Sequence, residues 1–97
     1  MTTHTTYFDL GNIVATRGVA ERMQSNPDFA AFVAQSLARH SLGDWGDVCS
    51  EDWKTNDDAV KDGNRLLSSY GKNTDDHLWF ITEWDRSVTT ALFPDEY

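Results

Sequence analysis

The sequence predicts an α+β domain, with an antiparallel sheet of about four strands and two to three helices packed mainly on one face. Two observations carry that prediction. The stretch Leu78–Phe93 crowds Trp, Phe, Ile, Thr and Val into two short runs separated by Asp85-Arg86-Ser87. Such residues fit a pleated, half-buried surface, and a short polar break between them marks a hairpin that forms the middle of a sheet. Earlier in the chain, Phe29, Phe32, Val33, Ser36 and Leu37 fall at the i, i+3, i+4, i+7, i+8 spacing of an amphipathic helix.

Residues 1–6 read as a frayed terminus. Tyr7 to Thr16 carries Phe8, Leu10, Ile13 and Val14 and reads as a strand, with a turn or bulge at Gly11. Thr16 is placed to cap a helix from Arg17 to about Gln24, with Val19, Ala20 and Met23 on one side. The next helix has the best start in the chain. Asn26 can accept from the first free N–H groups, Pro27 suits the first helical position, and Asp28 complements the dipole. Arg39 and His40 fall in its last turn and Gly43 is its stop.

Gly43-Asp44-Trp45-Gly46-Asp47 reads as a tight loop. Ser50 is expected to cap a third helix that ends at Gly63, with Trp53, Ala59 and Val60 as its narrow apolar stripe. Arg65–Tyr70 reads as a strand and Gly71–Asp76 as a polar connection into the hairpin. Within the hairpin, Leu78, Phe80, Thr82 and Trp84 share one face, and Trp79, Ile81 and Glu83 the other. Pro94 ends the last strand, and Asp95-Glu96-Tyr97 forms an acidic tail.

Residues 1–97 suit a single domain, and four Trp, five Phe and three Tyr argue against disorder. The lone cysteine, Cys49, cannot form an internal disulfide, which points to a reducing compartment. No secretory leader and no apolar run of membrane-spanning length is legible, so a cytoplasmic protein is expected. The charge balance excludes more. Sixteen acids face eight Lys and Arg, a net charge of −8, and a chain so acidic is repelled by phosphate backbones. Direct nucleic-acid binding is therefore not expected.

The acids concentrate between Asp44 and Asp62, where seven of them meet only Lys54 and Lys61. Such a segment reads either as a solvated helix face or as a surface for a basic partner. The candidate partner-binding residues are Asp44, Trp45, Asp47, Glu51, Asp52, Trp53, Asp57 and Asp58. Trp45, in a loop bounded by glycines, is either a lid over the core or an exposed anchor. His40 reads first as a helix C-terminal histidine, and second as a general base beside Asp44 or Asp47. Ser68 and Ser69 lack nucleophile-elbow glycines, and Cys49 reads as a small packed residue. Arg86 is expected to pair with Asp85 or Glu83. No EF-hand, zinc or nucleotide-binding spacing is present, so no catalytic residue, metal ligand or cofactor is assigned.

Several segments together resemble a known family. They are Leu10-Gly-x-Ile-Val-Ala-Thr16, Arg39-His-x-x-Gly-Asp-Trp-Gly-Asp47, Glu51-Asp52, Gly63-x-Arg-Leu-Leu-Ser68 with Tyr70, and Leu78-Trp-x-Ile-Thr-Glu-x-Asp-Arg-Ser-Val-Thr-Thr-x-Leu-x-Pro-x-Glu-Tyr97. The chain is similar, over nearly its whole length, to small proteins of bacterial plasmids and integrated mobile elements that carry a plasmid-related label. It departs from them in a longer segment at Asn26–Gln35 and in Arg17-Gly18 where Pro-Gly often begins the first helix. The resemblance implies a bacterial or phage setting and supplies no substrate, cofactor or catalytic residue. It also implies a line of function by association, since small acidic proteins of mobile elements often bind a restriction enzyme or a CRISPR effector. The expected function is thus a protein-binding module, most concretely an anti-defence inhibitor whose partner is a host defence nuclease or effector complex. The alternatives are a small enzyme around His40 and the Asp44–Asp47 loop, and a structural protein or homo-oligomer.

Overall fold

A computed structural model describes residues 6–97. The expectation of a frayed terminus falls on residues 1–6 and so lies almost wholly outside the described part. Strand β1 (Asn12–Ala15) leads into helices α1 (Arg17–Ser25), α2 (Pro27–Ser41) and α3 (Ser50–Asp62). Strands β2 (Leu66–Tyr70), β3 (Leu78–Thr82) and β4 (Val88–Leu92) follow, and a 3₁₀ turn covers Pro94–Glu96. The fold is α+β, and its four strands run in the order β1-β4-β3-β2. The β3–β4 hairpin therefore does form the middle of the sheet.

The helix signals in the sequence act as expected. Thr16 accepts from the Val19 N–H, and Asn26 accepts from the Phe29 N–H with Pro27 at the first position of α2. Gly63 ends α3 in the left-handed conformation. Two boundaries differ. Cys49, not Ser50, is the N-cap of α3, and its side chain makes no cap bond. The strand expected over Tyr7–Thr16 shrinks to Asn12–Ala15, because Gly11 takes φ +65° and redirects the chain. A Cβ there would run into the Arg86 and Ser87 backbone. Phe8 is thereby freed to turn into the interior.

One pairing departs from the antiparallel expectation. β2–β3 and β3–β4 are antiparallel, but β1 lies parallel to β4, with Ile13 opposite Thr89 and Ala15 opposite Ala91. β1 and β4 are separated by most of the chain, so their relative direction is set by how the helices return.

The core has two parts. Val19 of α1, Phe29 and Val33 of α2, and Tyr70, Leu78, Phe80 and Ala91 of the sheet form the first. Phe8, Trp45, Ala59 and Leu66 form the second, beneath α3, with Trp53 and Val60 packed against it. Burying one such side chain contributes roughly 1.5–3 kcal/mol.

The edge of β2 is closed by α3 and the loop before it. The Asn56 amide donates to the Leu67 carbonyl at 2.8 Å and accepts from the Leu67 N–H at 3.2 Å. Ser69 donates its N–H to the Trp45 carbonyl and accepts from the Asp47 N–H. Asn56 thus stands in for a neighbouring strand, a role that helical periodicity alone does not reveal.

Candidate functional site

The acidic segment divides into a latch and a free face. Asp44 sits at the end of α2, where its carboxylate takes two bonds from Arg39, at 2.8 and 3.2 Å. It also accepts from the Gly46 N–H. The Arg39 bonds, helped by Gly46, hold the Asp44 carboxyl below the usual carboxylate range. The Asp44 carbonyl accepts from the Tyr70 hydroxyl at 2.6 Å. Burial pushes that phenol well above its ordinary pKa. Asp47 accepts from the Lys72 N–H at 3.0 Å. Gly46 allows this close approach, because a Cβ there would collide with the Ser69 carbonyl and the Tyr70 ring. Asp44 and Asp47 therefore pin the loop to the sheet.

Trp45 is not the apolar anchor that the sequence offered as a partner contact. Trp45 is fully buried, stacked on Phe8 at 5.8 Å, and its indole N–H donates to Asp57 at 3.0 Å. Its lid role follows from size, since the hole beneath α3 needs the largest side chain to fill it. Trp53 is half-buried against the same cluster. Asp57 is occupied by the Trp45 indole, so its free capacity is reduced.

The residues left facing outward are on α3. Glu51, Asp52, Asp58 and Asp62 are exposed. Glu51, Asp58 and Asp62 lie at i, i+7 and i+11 and share one side of the helix. Lys54 is tied to Asp58 at 2.9 Å in an exposed pair of small energetic value. Asp62 is a member of this face that the candidate list omitted. Among the described residues, no group of three or more His, Cys, Asp or Glu side chains could hold a metal ion.

The exposed tryptophan is Trp84, which is 66% exposed at the tip of the β3–β4 hairpin. The alternation along β3 put it on a face with Leu78 and Phe80, but the strand ends at Thr82 and Trp84 falls in the turn. Arg86 fixes that turn, in a way the sequence did not reveal. Its guanidinium donates to the carbonyls of Glu83 at 3.0 Å, Asn64 at 2.7 Å and Ala59 at 2.9 Å. It makes no pair with Asp85, whose carboxylate instead takes the N–H and hydroxyl of Ser87. By holding Ala59 and Asn64, Arg86 docks the hairpin tip on the C-terminal end of α3. Trp84 lies in that docked tip, two residues before Arg86.

Comparison of the chain with protein-family models, curated proteins and solved structures finds no match. The site must therefore be read from its own chemistry.

His40 is fully buried, and neither Asp44 nor Asp47 bonds to it. Its Nδ1 lies 2.5 Å from Ser68 Oγ and its Nε2 2.8 Å from Thr82 Oγ1. Thr82 Oγ1 meets Thr89 Oγ1 at 2.7 Å, and Thr89 donates to the Leu10 carbonyl at 2.7 Å. The terminal acceptor fixes every proton in the row. Thr89 donates to Leu10, Thr82 to Thr89, His40 Nε2–H to Thr82, and Ser68 to His40 Nδ1. Burial, with a smaller push from Arg86, lowers the His40 pKa from 6.5 to about 3. The histidine is a neutral strut between α2 and the sheet.

A second serine–histidine contact lies nearer the surface. Ser69 Oγ is 2.7 Å from His77 Nε2, beside a shallow cleft of about 320 Å³ that includes Cys49, Lys72 and Trp79. No carboxylate among the described residues bonds to His77, so the pair lacks the orienting group of a triad. Cys49 is exposed, contrary to the packed position expected for it. Among the described residues, no helix is long and apolar enough to cross a membrane.

Proposed function

We propose that this chain is an acidic protein-binding module that presents α3 and the tip of the β3–β4 hairpin to a basic, nucleic-acid-handling partner. The observation that carries the reading is the concentration of free acid on one helix. Seven acids against two lysines lie between Asp44 and Asp62, and the ones not used internally face outward from α3. A surface of that sign speeds encounter with a basic channel and competes with phosphate for it. Trp84 supplies the exposed aromatic that interface centres favour. We further propose that the chain belongs with the plasmid and mobile-element proteins that its sequence resembles, which makes the partner a host restriction nuclease or CRISPR effector and the module an anti-defence inhibitor.

The test is a tagged pull-down from a bacterial host with active restriction and CRISPR systems, read by mass spectrometry at low and high salt. One nuclease or effector complex should be recovered, and released by salt. Replacing Glu51, Asp52, Asp58 and Asp62 with the matching amides should abolish recovery, and Trp84→Ala should weaken it, with both variants folded. Replacing Asp44 and Asp47 would confuse the result, because they hold the loop. Undiminished capture by the amide variant would overturn the reading.

A further inference from the structure

The two edges of the sheet are treated differently. Every outward-facing backbone group of Leu67 and Ser69 on the β2 edge is matched by Asn56, Trp45 or Asp47. On the other edge, Asn12 of β1 and Thr16 just after it donate their N–H groups to the carbonyls of Ser87 and Ala91, each at 3.0 Å. The alternation of a parallel ladder then turns the N–H and C=O groups of Ile13 and Ala15 away from β4. All four β1 residues are exposed, Ile13 by 52% and Val14 by 45%. β1 contains no charge and no proline, the usual guards of such an edge.

We propose that β1 pairs antiparallel with β1 of a second copy of this chain, about a two-fold axis through Val14. Ile13 then exchanges both backbone hydrogen bonds with Ala15 of the second copy, and the same pair repeats on the other side of the axis. Val14 faces Val14 of the second copy without backbone bonds between them. The result is a single sheet of twice the width.

Charge selects a second copy as the occupant. The neighbourhood is nearly neutral, with Arg17 and Arg22 against Glu21 and against Glu96, which accepts from the Thr16 hydroxyl. The largest share of the net charge, seven acids against Lys54 and Lys61, lies between Asp44 and Asp62, on α3 and the loop before it, and α3 packs on β2 at the opposite edge. Joining through β1 places the two acidic helices at the far ends of the sheet, where their repulsion is weakest. Both helices remain free. A four-residue strand makes a small interface, so association is weak and concentration-dependent. This inference does not depend on the identity of any basic partner.

The experiment is sedimentation equilibrium across protein concentration and salt, together with engineered cross-linking. The mass should rise from 11.0 kDa towards twice that value with concentration. Added salt should increase the dimer fraction by screening repulsion, whereas it releases a basic partner. Val14→Lys sets two ammonium groups against each other on the axis and should leave a folded monomer, checked by circular dichroism. With Cys49→Ser in place, Val14→Cys should oxidise rapidly to a linked dimer, since facing residues there are about 4.5 Å apart. Ile13→Cys should link at least tenfold more slowly, because its two copies would be offset diagonally by about 8 Å, beyond disulfide reach. A monomer at millimolar concentration would overturn the proposal. So would a dimer indifferent to Val14→Lys, or equal linking at positions 13 and 14.

Discussion

The buried His40 makes a quantitative claim about acid. In the native state it stays neutral down to about pH 3, whereas in the unfolded chain it takes a proton near 6.5. The sign follows from linkage. Above pH 6.5 neither state binds the proton, and stability is unaffected. Below it, the unfolded state binds one proton more than the native state, so stability falls as pH falls, until the native histidine also titrates near pH 3. Each pH unit costs about 1.4 kcal/mol. Between pH 6.5 and 5, where carboxylates are still largely ionised, the loss is about 2 kcal/mol. Over the full window it reaches about 5 kcal/mol, comparable with the whole stability of a domain this size. Urea unfolding followed by tryptophan fluorescence at several pH values measures it. His40→Gln cannot titrate, so it should be less stable at pH 7 yet lose almost nothing between pH 6.5 and 5. A wild-type stability that is level over that window would refute the reasoning. An equal slope in His40→Gln would also refute it, since the titrating group would then lie elsewhere.

Other perturbations test the devices that hold the fold. Asn56→Ala strips both partners from the Leu67 backbone and should cost about 2–4 kcal/mol in urea unfolding, as two edge groups lose their bonds. Arg86 sits at φ +59°, a strain of roughly 1–2 kcal/mol that glycine would relieve. Its three carbonyl bonds outweigh that, so Arg86→Gly should still lower stability, by about 2 kcal/mol or more, in a calorimetric scan. Trp45→Ala should cost about 3–5 kcal/mol by opening a cavity beneath α3. The folded Trp45→Phe variant should capture a partner as well as the wild type does, because Trp45 is enclosed.

Local signals were legible in the sequence because neighbours in the chain make them. Asn26, Pro27 and Asp28 start α2, the Phe29–Leu37 stripe buries it, and Gly63 stops α3. Asp85-Arg86-Ser87 turns a hairpin whose strands keep the alternation their side chains announced. The surplus of acid was equally plain, and so was its clustering between Asp44 and Asp62.

What the sequence left open depends on groups far apart along the chain. The same residue types serve both as latch and as free face. Asp44 is held by Arg39 and Asp57 by Trp45, while Asp52 faces water, and only the packing of the loop against Tyr70 and Ser69 tells them apart. Asn56 meets Leu67 eleven residues on, His40 meets Thr82 forty-two residues on, and Thr89 reaches Leu10 across seventy-nine. Periodicity and capping see about one turn of helix or one pleat of strand. The class of the fold and its acidic surface were therefore written locally. The parallel β1, the enclosed Trp45, the exposed Trp84 and the neutral His40 were decided only when the sheet closed over its helices.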